Sequence, residues 1–482
     1  GIVAPDRTPH PAMAEVKYAH QNVGFEAVDL AAGKFLVKNR FYFTGLKKYQ
    51  INYAVKANGK VVRKGKTFLD IEPQGSQELN VNVAGLQPKA GTEYFVNFWV
   101  TTTEPEILIP VGHEIASEQF RLPIEPLTVA EHKASGKTSV TTEGDEVKVT
   151  SSKMQFVFNK KSGLVTSYKV DGTEDCTEGF GIQPNFWRAP NDNDYGNGQP
   201  MREQIWKQSS KNFKVADVIT EADGNNTVLT ANYLLAAGNL YIVKYTIYPD
   251  GVVHADITFT STDMEEGKTE VSEATLMATF SPGQQEARRA ASKLVVPRIG
   301  VRFRLPADMN QVEYFGRGPG ENYIDRQRAS HIDLYKTTAD AMYTNNYVRP
   351  QENGHRTDTR WVELTRKNGK GLKIVADQCI GFNALRNSVE DFDSEEAVGK
   401  LRQWNNFTPE EIANRSEEEA KDVLRHMTHI NDITPRNFVE VCVDMKQQGV
   451  AGFNSWGDRP LAEHTMPANQ EYKWGFTLIP VK

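Results

Sequence analysis

The stretch YIVKYTIYPDGVVHADITF, residues 241–259, decides the fold class. Tyr241, Val243, Tyr245 and Ile247 fall at every second position, Asp250-Gly251 supplies a turn, and Val253, Ala255, Ile257 and Phe259 resume the alternation. Successive side chains of a strand point to opposite faces, so this period of two predicts a hairpin with one buried face. The same texture extends in both directions. Met154, Phe156 and Phe158 alternate, Lys160 to Gly163 turn, and Leu164, Thr166, Tyr168 and Val170 follow; Val439, Val441 and Val443 repeat the pattern near the end. Residues 143–482 therefore predict one large β-sandwich with decorated loops. Within it, Thr408 with Glu411 and Ser416 with Glu419 fit capping boxes and predict short helices in 408–427.

Upstream, residues 20–125 predict a second, smaller sandwich of immunoglobulin type. Tyr49, Ile51, Tyr53 and Val55 alternate, Asn58-Gly59 reads as a tight turn, and Tyr94 to Val100 is apolar on both faces, as in a central strand. Residues 126–142 lack an apolar period and read as a linker. Residues 1–19 stand apart: Pro9 and Pro11 precede AMAEVKYAHQNV, which predicts a helix over roughly 9–21. The fold class expected is all-β, two sandwiches with a short helical segment ahead of them.

Composition excludes several functions. Hydrophobic residues make up 39% and charged residues 24%, the mix of a folded globular protein. The net charge of −6 gives no electrostatic footprint for nucleic acid or anionic lipid. No apolar run approaches the roughly 20 residues that span a bilayer, and GIVAPDRTPHPAM has neither the basic nor the apolar segment of a secretion leader. No membrane partner is expected, and the compartment is left open between cytoplasm and periplasm. Cys176, Cys379 and Cys442 are odd in number and widely spaced, so neither a disulfide framework nor a structural zinc site is expected.

Generic catalytic signatures fail in turn. His113-Glu114 has no second histidine four residues on from His113. Asn191 to Gly196 places a glycine as a calcium loop would, but Arg202 stands where a bidentate glutamate is needed. Gly316 to Gly320 lacks dinucleotide-binding spacing. What remains is four loops dense in Gly, Pro, Asn, Asp, Arg and aromatics: Phe186 to Gly196 (FWRAPNDNDYG), Tyr314 to Arg326 (YFGRGPGENYIDR), Tyr347 to Trp361 (YVRPQENGHRTDTRW) and Val450 to Gly457 (VAGFNSWG). Gly and Pro set special backbone angles while Asn, Asp and Arg bond locally, so rigid, self-satisfied loops are the first expectation. Glu321 and Glu352 each sit in such a loop and are expected to anchor it through Arg or backbone donors.

In order and spacing, these four segments resemble the C-terminal sandwich of glycoside hydrolase family 2 β-galactosidases, often called the small chain. Residues 20–125 look like the immunoglobulin-like domain that precedes it, and residues 1–19 resemble the closing stretch of the catalytic TIM barrel. The large sandwich resembles that of sugar mutarotases. The resemblance implies a parent enzyme that hydrolyses terminal non-reducing β-D-galactose with retention, as in lactose. Its acid/base and nucleophile glutamates would lie in the barrel, as would its Mg²⁺ ligands, so this chain alone is expected to be inactive and to bind no cofactor. Many members also use Na⁺ and form homo-oligomers. One functional residue carries over: Ser455-Trp456 matches a family Ser-Trp whose tryptophan is an aromatic wall for the sugar. Ala451 and Phe453 depart from the Gly and Asp common there, and Arg349 places a cation where a Na⁺ site near Tyr347–Pro350 would lie. The alternative is a stand-alone carbohydrate-binding or mutarotase-like protein. It would need a His/Glu acid–base pair, for which His254, His426 and His429 are present without a matching motif.

Overall fold

A computed structural model describes residues 2–260, 294–393, 429–452, 454 and 457–482. The helices expected in 408–427, and Trp456 with Ser455, lie outside the described residues. The chain is all-β and divides into two compact units, the first Gly1–His132 with Phe315–Pro319 and Gln327–Tyr335, the second the remainder. Among the described residues no helix is long and apolar enough to cross a membrane.

In the first unit a three-stranded sheet (Val23–Asp29, Lys34–Asn39, Ser76–Asn80) accompanies a four-stranded one. The latter runs Lys60–Thr67, Tyr49–Ala57, Tyr94–Thr102, Glu114–Arg121. Asn58 and Gly59 both take positive φ, 43° and 78°, the backbone that a two-residue hairpin turn demands. Phe98 joins the layers, stacked on Phe25 at 4.5 Å and edge-on to Phe35 at 4.9 Å. The helix expected over 9–21 is shorter, Met13–Ala19, with no side-chain cap and no buried residue. Pro9 is drawn instead into a bridge with Val3.

The second unit is built on a large antiparallel sheet. Its main path runs Gln183–Asn185, Arg298–Pro306, Phe438–Gln447, Gly371–Leu385, Tyr472–Val481, Val253–Thr260, Leu240–Ile247, Asn226–Leu234 and Lys214–Asp223. The hairpin read from residues 241–259 is present in register, Tyr241 opposite Phe259, Val243 opposite Ile257, Tyr245 opposite Ala255. All six are buried, as the alternation required. A five-stranded sheet (Thr173–Glu174, Leu164–Val170, Met154–Asn159, Glu146–Thr150, Ser139–Glu143) faces it. Phe156 lies 5.5 Å from Tyr245, and Tyr168 and Tyr233 donate across the layers to the carbonyls of Gly251 and Gly163. Buried hydroxyls that find partners hold two sheets together without the cost of an orphaned polar group.

Two expectations need correction. Ser139–Glu143, with residues 139–142 expected in the linker, is an edge strand paired with Glu146–Thr150. Every one of its residues is exposed, so it carries no apolar period and owes its form to the backbone ladder and the Gly144 turn. Helix is also not confined to the expected segments: Asp192–Gly196, Gln199–Arg202 and Gln204–Lys211 follow one another between two strands. The first begins at a capping box, Asn191 accepting from the Asp194 amide while Asp194 accepts from the Asn191 amide. The apparent calcium loop is thus a helix start, with Asp194 satisfied locally.

Candidate functional site

The four loops singled out in the sequence all contribute to a polar region of the second unit that is buried as deeply as its apolar core. Arg188, with no exposed surface, is the hub. Its Nε and Nη2 grip Asp194 at 3.1 and 2.8 Å, Nη1 donates to the Gln448 carbonyl at 2.7 Å, and Nη2 to the Gly449 carbonyl at 2.9 Å. A bidentate guanidinium–carboxylate pair fixes both partners in orientation as well as distance. The Phe186–Gly196 loop is thereby tied to the start of the Val450–Gly457 loop.

Three more side chains complete that tie. Asn191 and Asn193 each donate to the Val450 carbonyl at 3.0 Å, while Asp325 accepts from the amides of Val450 (3.2 Å) and Ala451 (2.9 Å). At the far end Gly457, at φ 104°, lies so close that an added Cβ would be 2.6 Å from the Gly196 carbonyl oxygen. Only glycine combines that approach with that angle. The described residues on either side of Trp456 are therefore held, 449–451 by these bonds and 457 by its close approach to Gly196.

Beneath lies a second ionic group. Arg298, also without exposed surface, donates to Glu352 at 3.1 Å and approaches Asp444 at 3.3 Å. Gln447 donates to the same Glu352 oxygen at 3.3 Å. Burial raises the Glu352 pKa and lifts that of Asp444 to about 7, against the pull of Arg298. Burial, with Arg298, Arg356 and Arg188 nearby, keeps His355 neutral, so its 3.6 Å approach to Asp444 is not an ion pair. Glu321 accepts from Arg326 at 2.5 Å, from the Gly354 amide at 2.8 Å and from Tyr347. Both glutamates are thus bound by Arg and by amide or hydroxyl donors, the arrangement of loop anchors.

Arg349 pairs with Asp192 at 2.8 Å and stacks on Tyr195 at 4.1 Å. With a guanidinium in place and the Tyr347 hydroxyl engaged by Glu321, the segment Tyr347–Pro350 does not suit a bound Na⁺. His254 is elsewhere, on the outward side of Val253–Thr260 beside Asp256 and Asp377. His429 is exposed and bonded to Asp432, and His426 lies outside the described residues. The three cysteines form no disulfide with one another; Cys442 is buried under Arg298 and Asn185.

Sequence reading missed Arg298 and Asp444, and did not single out Asp325 and His355 within their loops. A signal existed in two glycines inside strands. A Cβ at Gly300 would lie 2.2 Å from Asp444 Oδ1, and one at Gly381 2.5 Å from the His355 ring. Each marks a place where a charged or polar side chain folds down on the backbone.

Fold and site together describe an all-β chain of two sandwich units whose polar loops are locked around a buried ionic core. Residues 150–478 match the family model described as beta galactosidase small chain, and residues 35–123 match beta-galactosidase, domain 4. The chain belongs to the β-galactosidase small-chain family. It is 30% identical over its full length to a beta-galactosidase of Priestia megaterium, covering 41% of that protein. It is 26% identical over 99% of its length to a beta-galactosidase of Halalkalibacterium halodurans, again covering 41%. The chain thus spans about two fifths of the length of these relatives. Among solved structures, galactose 1-epimerase from Lactobacillus acidophilus aligns over 72% of this chain and 99% of its own, at 8% identity and a TM-score of 0.33. A likeness at that level says nothing about activity.

Proposed function

We propose that this chain is the non-catalytic C-terminal portion of a family 2 β-galactosidase, in which it supplies one wall of the sugar site through Trp456. The observation that carries the reading is the hold on the described residues that flank Trp456: Arg188, Asn191, Asn193 and Asp325 bind residues 449–451, and Gly457 rests on Gly196. An aromatic face suits the C–H side of a pyranose, whose hydroxyls are left to polar residues elsewhere. The glutamates that perform retaining hydrolysis and the Mg²⁺ ligands belong to the TIM barrel of the parent, and β-galactosides such as lactose are its substrates. Residues 1–19 are the end of that barrel, and homo-oligomers are the expected assembly.

The test compares this chain with the full-length enzyme on a chromogenic β-galactoside. This chain alone should give no turnover, since binding without an acid and a nucleophile does not lower the barrier. In the full-length enzyme Trp456→Ala should raise KM more than it lowers kcat, by roughly 5- to 150-fold for about 1–3 kcal/mol of lost apolar contact. Turnover by the isolated chain, or an unchanged KM with a large fall in melting temperature, would reject the reading. Catalysis of sugar mutarotation by the isolated chain, followed by polarimetry, would favour the epimerase-like alternative instead.

A further inference from the structure

The outward face of three neighbouring strands carries a group that the loop site does not use. In register, His254 lies opposite Thr477, Asp256 opposite Gly475, and Ala376 opposite Phe476, so that Asp377 falls beside Gly475. Gly475 is a gap in this surface: a Cβ there would be 2.3 Å from Asp377 Oδ2 and 2.9 Å from the Ala255 carbonyl oxygen. The Asp377 carboxylate occupies the vacated space and leans toward His254. The His254 Nε2 atom stands 3.2 Å from Asp256 Oδ1 and 3.5 Å from Asp377 Oδ2, while Nδ1 bonds Thr477 Oγ1 at 2.9 Å. The three donor atoms all lie within 4.8 Å of one another.

We propose that His254, Asp256 and Asp377 form a divalent-cation site, with Zn²⁺ the ion that suits them best. Zinc binds imidazole nitrogen and carboxylate oxygen at about 2.0–2.2 Å, and tetrahedral geometry then separates its ligands by about 3.3–3.5 Å. The two separations from Nε2 bracket that range. Thr477 occupies the other ring nitrogen, the outer contact that orients a metal-binding histidine. An imidazole among the ligands favours zinc over Mg²⁺ or Ca²⁺, which take oxygen. Two carboxylates and a neutral imidazole carry two negative charges, which a dication balances; Lys244, directly across from Asp256, lies at the edge of the group. Water supplies the remaining position, since all three side chains reach the surface. This departs from the expectation that the chain binds no metal. A bound ion would tie together Val253–Thr260, Tyr472–Val481 and Gly371–Leu385.

The experiment is calorimetric titration of the chelator-stripped chain with zinc chloride near neutral pH. It is done in a Cys379→Ser background, because Cys379 is exposed two residues beyond Asp377 and is a competing soft ligand. One equivalent should bind and raise the melting temperature. His254→Gln and Asp377→Asn should each weaken binding at least tenfold, and so should Gly475→Ala, which keeps all three ligands but displaces Asp377. His429→Gln should change nothing. Absence of one-equivalent binding, or binding that His254→Gln and Asp377→Asn leave intact in chains with native circular dichroism, would overturn the site. No galactoside enters the measurement, so its outcome is independent of the proposed enzymatic role.

Discussion

The apolar core under the 241–259 hairpin and the ionic core beneath the loops of the same unit are equally buried, yet they are held by opposite kinds of interaction. Ile247, Val253, Ala255 and Phe259 have no exposed surface, and neither have Arg188, Arg298 and Asp444. Contacts among the former are non-directional, and a carbon removed costs its transfer from water plus the small cavity it leaves. The ions behave differently. Removing a charge from water costs several kcal/mol, offset only when partner and hydrogen bonds are all in place, so the ionic core is stable as a whole and fragile in its parts. An apolar core tolerates drift in position; this one fixes the loops it touches.

The sharpest break of that comparison is Arg298→Met. It keeps much of the side-chain volume but leaves Glu352 and Asp444 without their cation, and should cost about 3–5 kcal/mol. Ile257→Val, a single methylene from the apolar face of the hairpin, should cost about 0.5–1.5 kcal/mol. Urea unfolding of both variants checks the pair. If Arg298→Met costs no more than Ile257→Val, the ionic core is not the fragile one.

A difference in pH response should separate the two regions next. Burial holds the Asp444 pKa near 7 in the folded chain against an ordinary 3.8. Between about pH 4 and 7 the folded state therefore keeps a proton that the unfolded state has shed. The linkage sign makes stability fall as pH rises through that window and level off above it. His355 acts in the other direction: buried and neutral, it takes a proton only on unfolding, so its contribution is lost as pH falls below about 6.5. The difference between wild type and Asp444→Asn isolates the carboxyl. It should slope between pH 4 and 7, in the sense that the wild type loses stability with rising pH relative to the variant. No comparable slope should accompany Ile257→Val. A flat difference for Asp444→Asn would mean that Asp444 stays ionised in the fold.

The contrast also explains what could be read in advance. Residues 241–259 announce their hairpin because a buried face imposes a period of two, and the Asp-Gly turn sets its register. The four loops stand out by composition, and all four contribute to the same polar region of the second unit. The bonds that join them did not stand out. Asp325 is one acid among many in sequence, and its bonds to the amides of Val450 and Ala451 span more than a hundred residues. Arg298 and Asp444 meet because two strands pair in one register, which no local pattern states. The helical run from Asp192 to Lys211 hid for a related reason: NDND reads equally as a turn or a metal loop until Arg188 takes Asp194.

The smallest effect is expected at the strand that nothing in the sequence announced. Ser139–Glu143 is exposed throughout and, among the described residues, pairs only with Glu146–Thr150, Val140 lying opposite Val149. Val140 keeps 38% of its surface in water while Val149 has none exposed. If the edge strand is held by its backbone ladder, its side chains contribute little, and Val140→Thr should change stability by no more than about 0.5 kcal/mol, since Thr keeps the β-branched shape. Val149→Thr, the same change made one strand inward, buries a hydroxyl with no polar partner in view and should cost about 1–3 kcal/mol. Melting temperatures of the two variants, taken at one pH, decide the matter. Equal losses would show that the edge strand contributes to the core after all, and that its missing apolar period has some cause other than exposure.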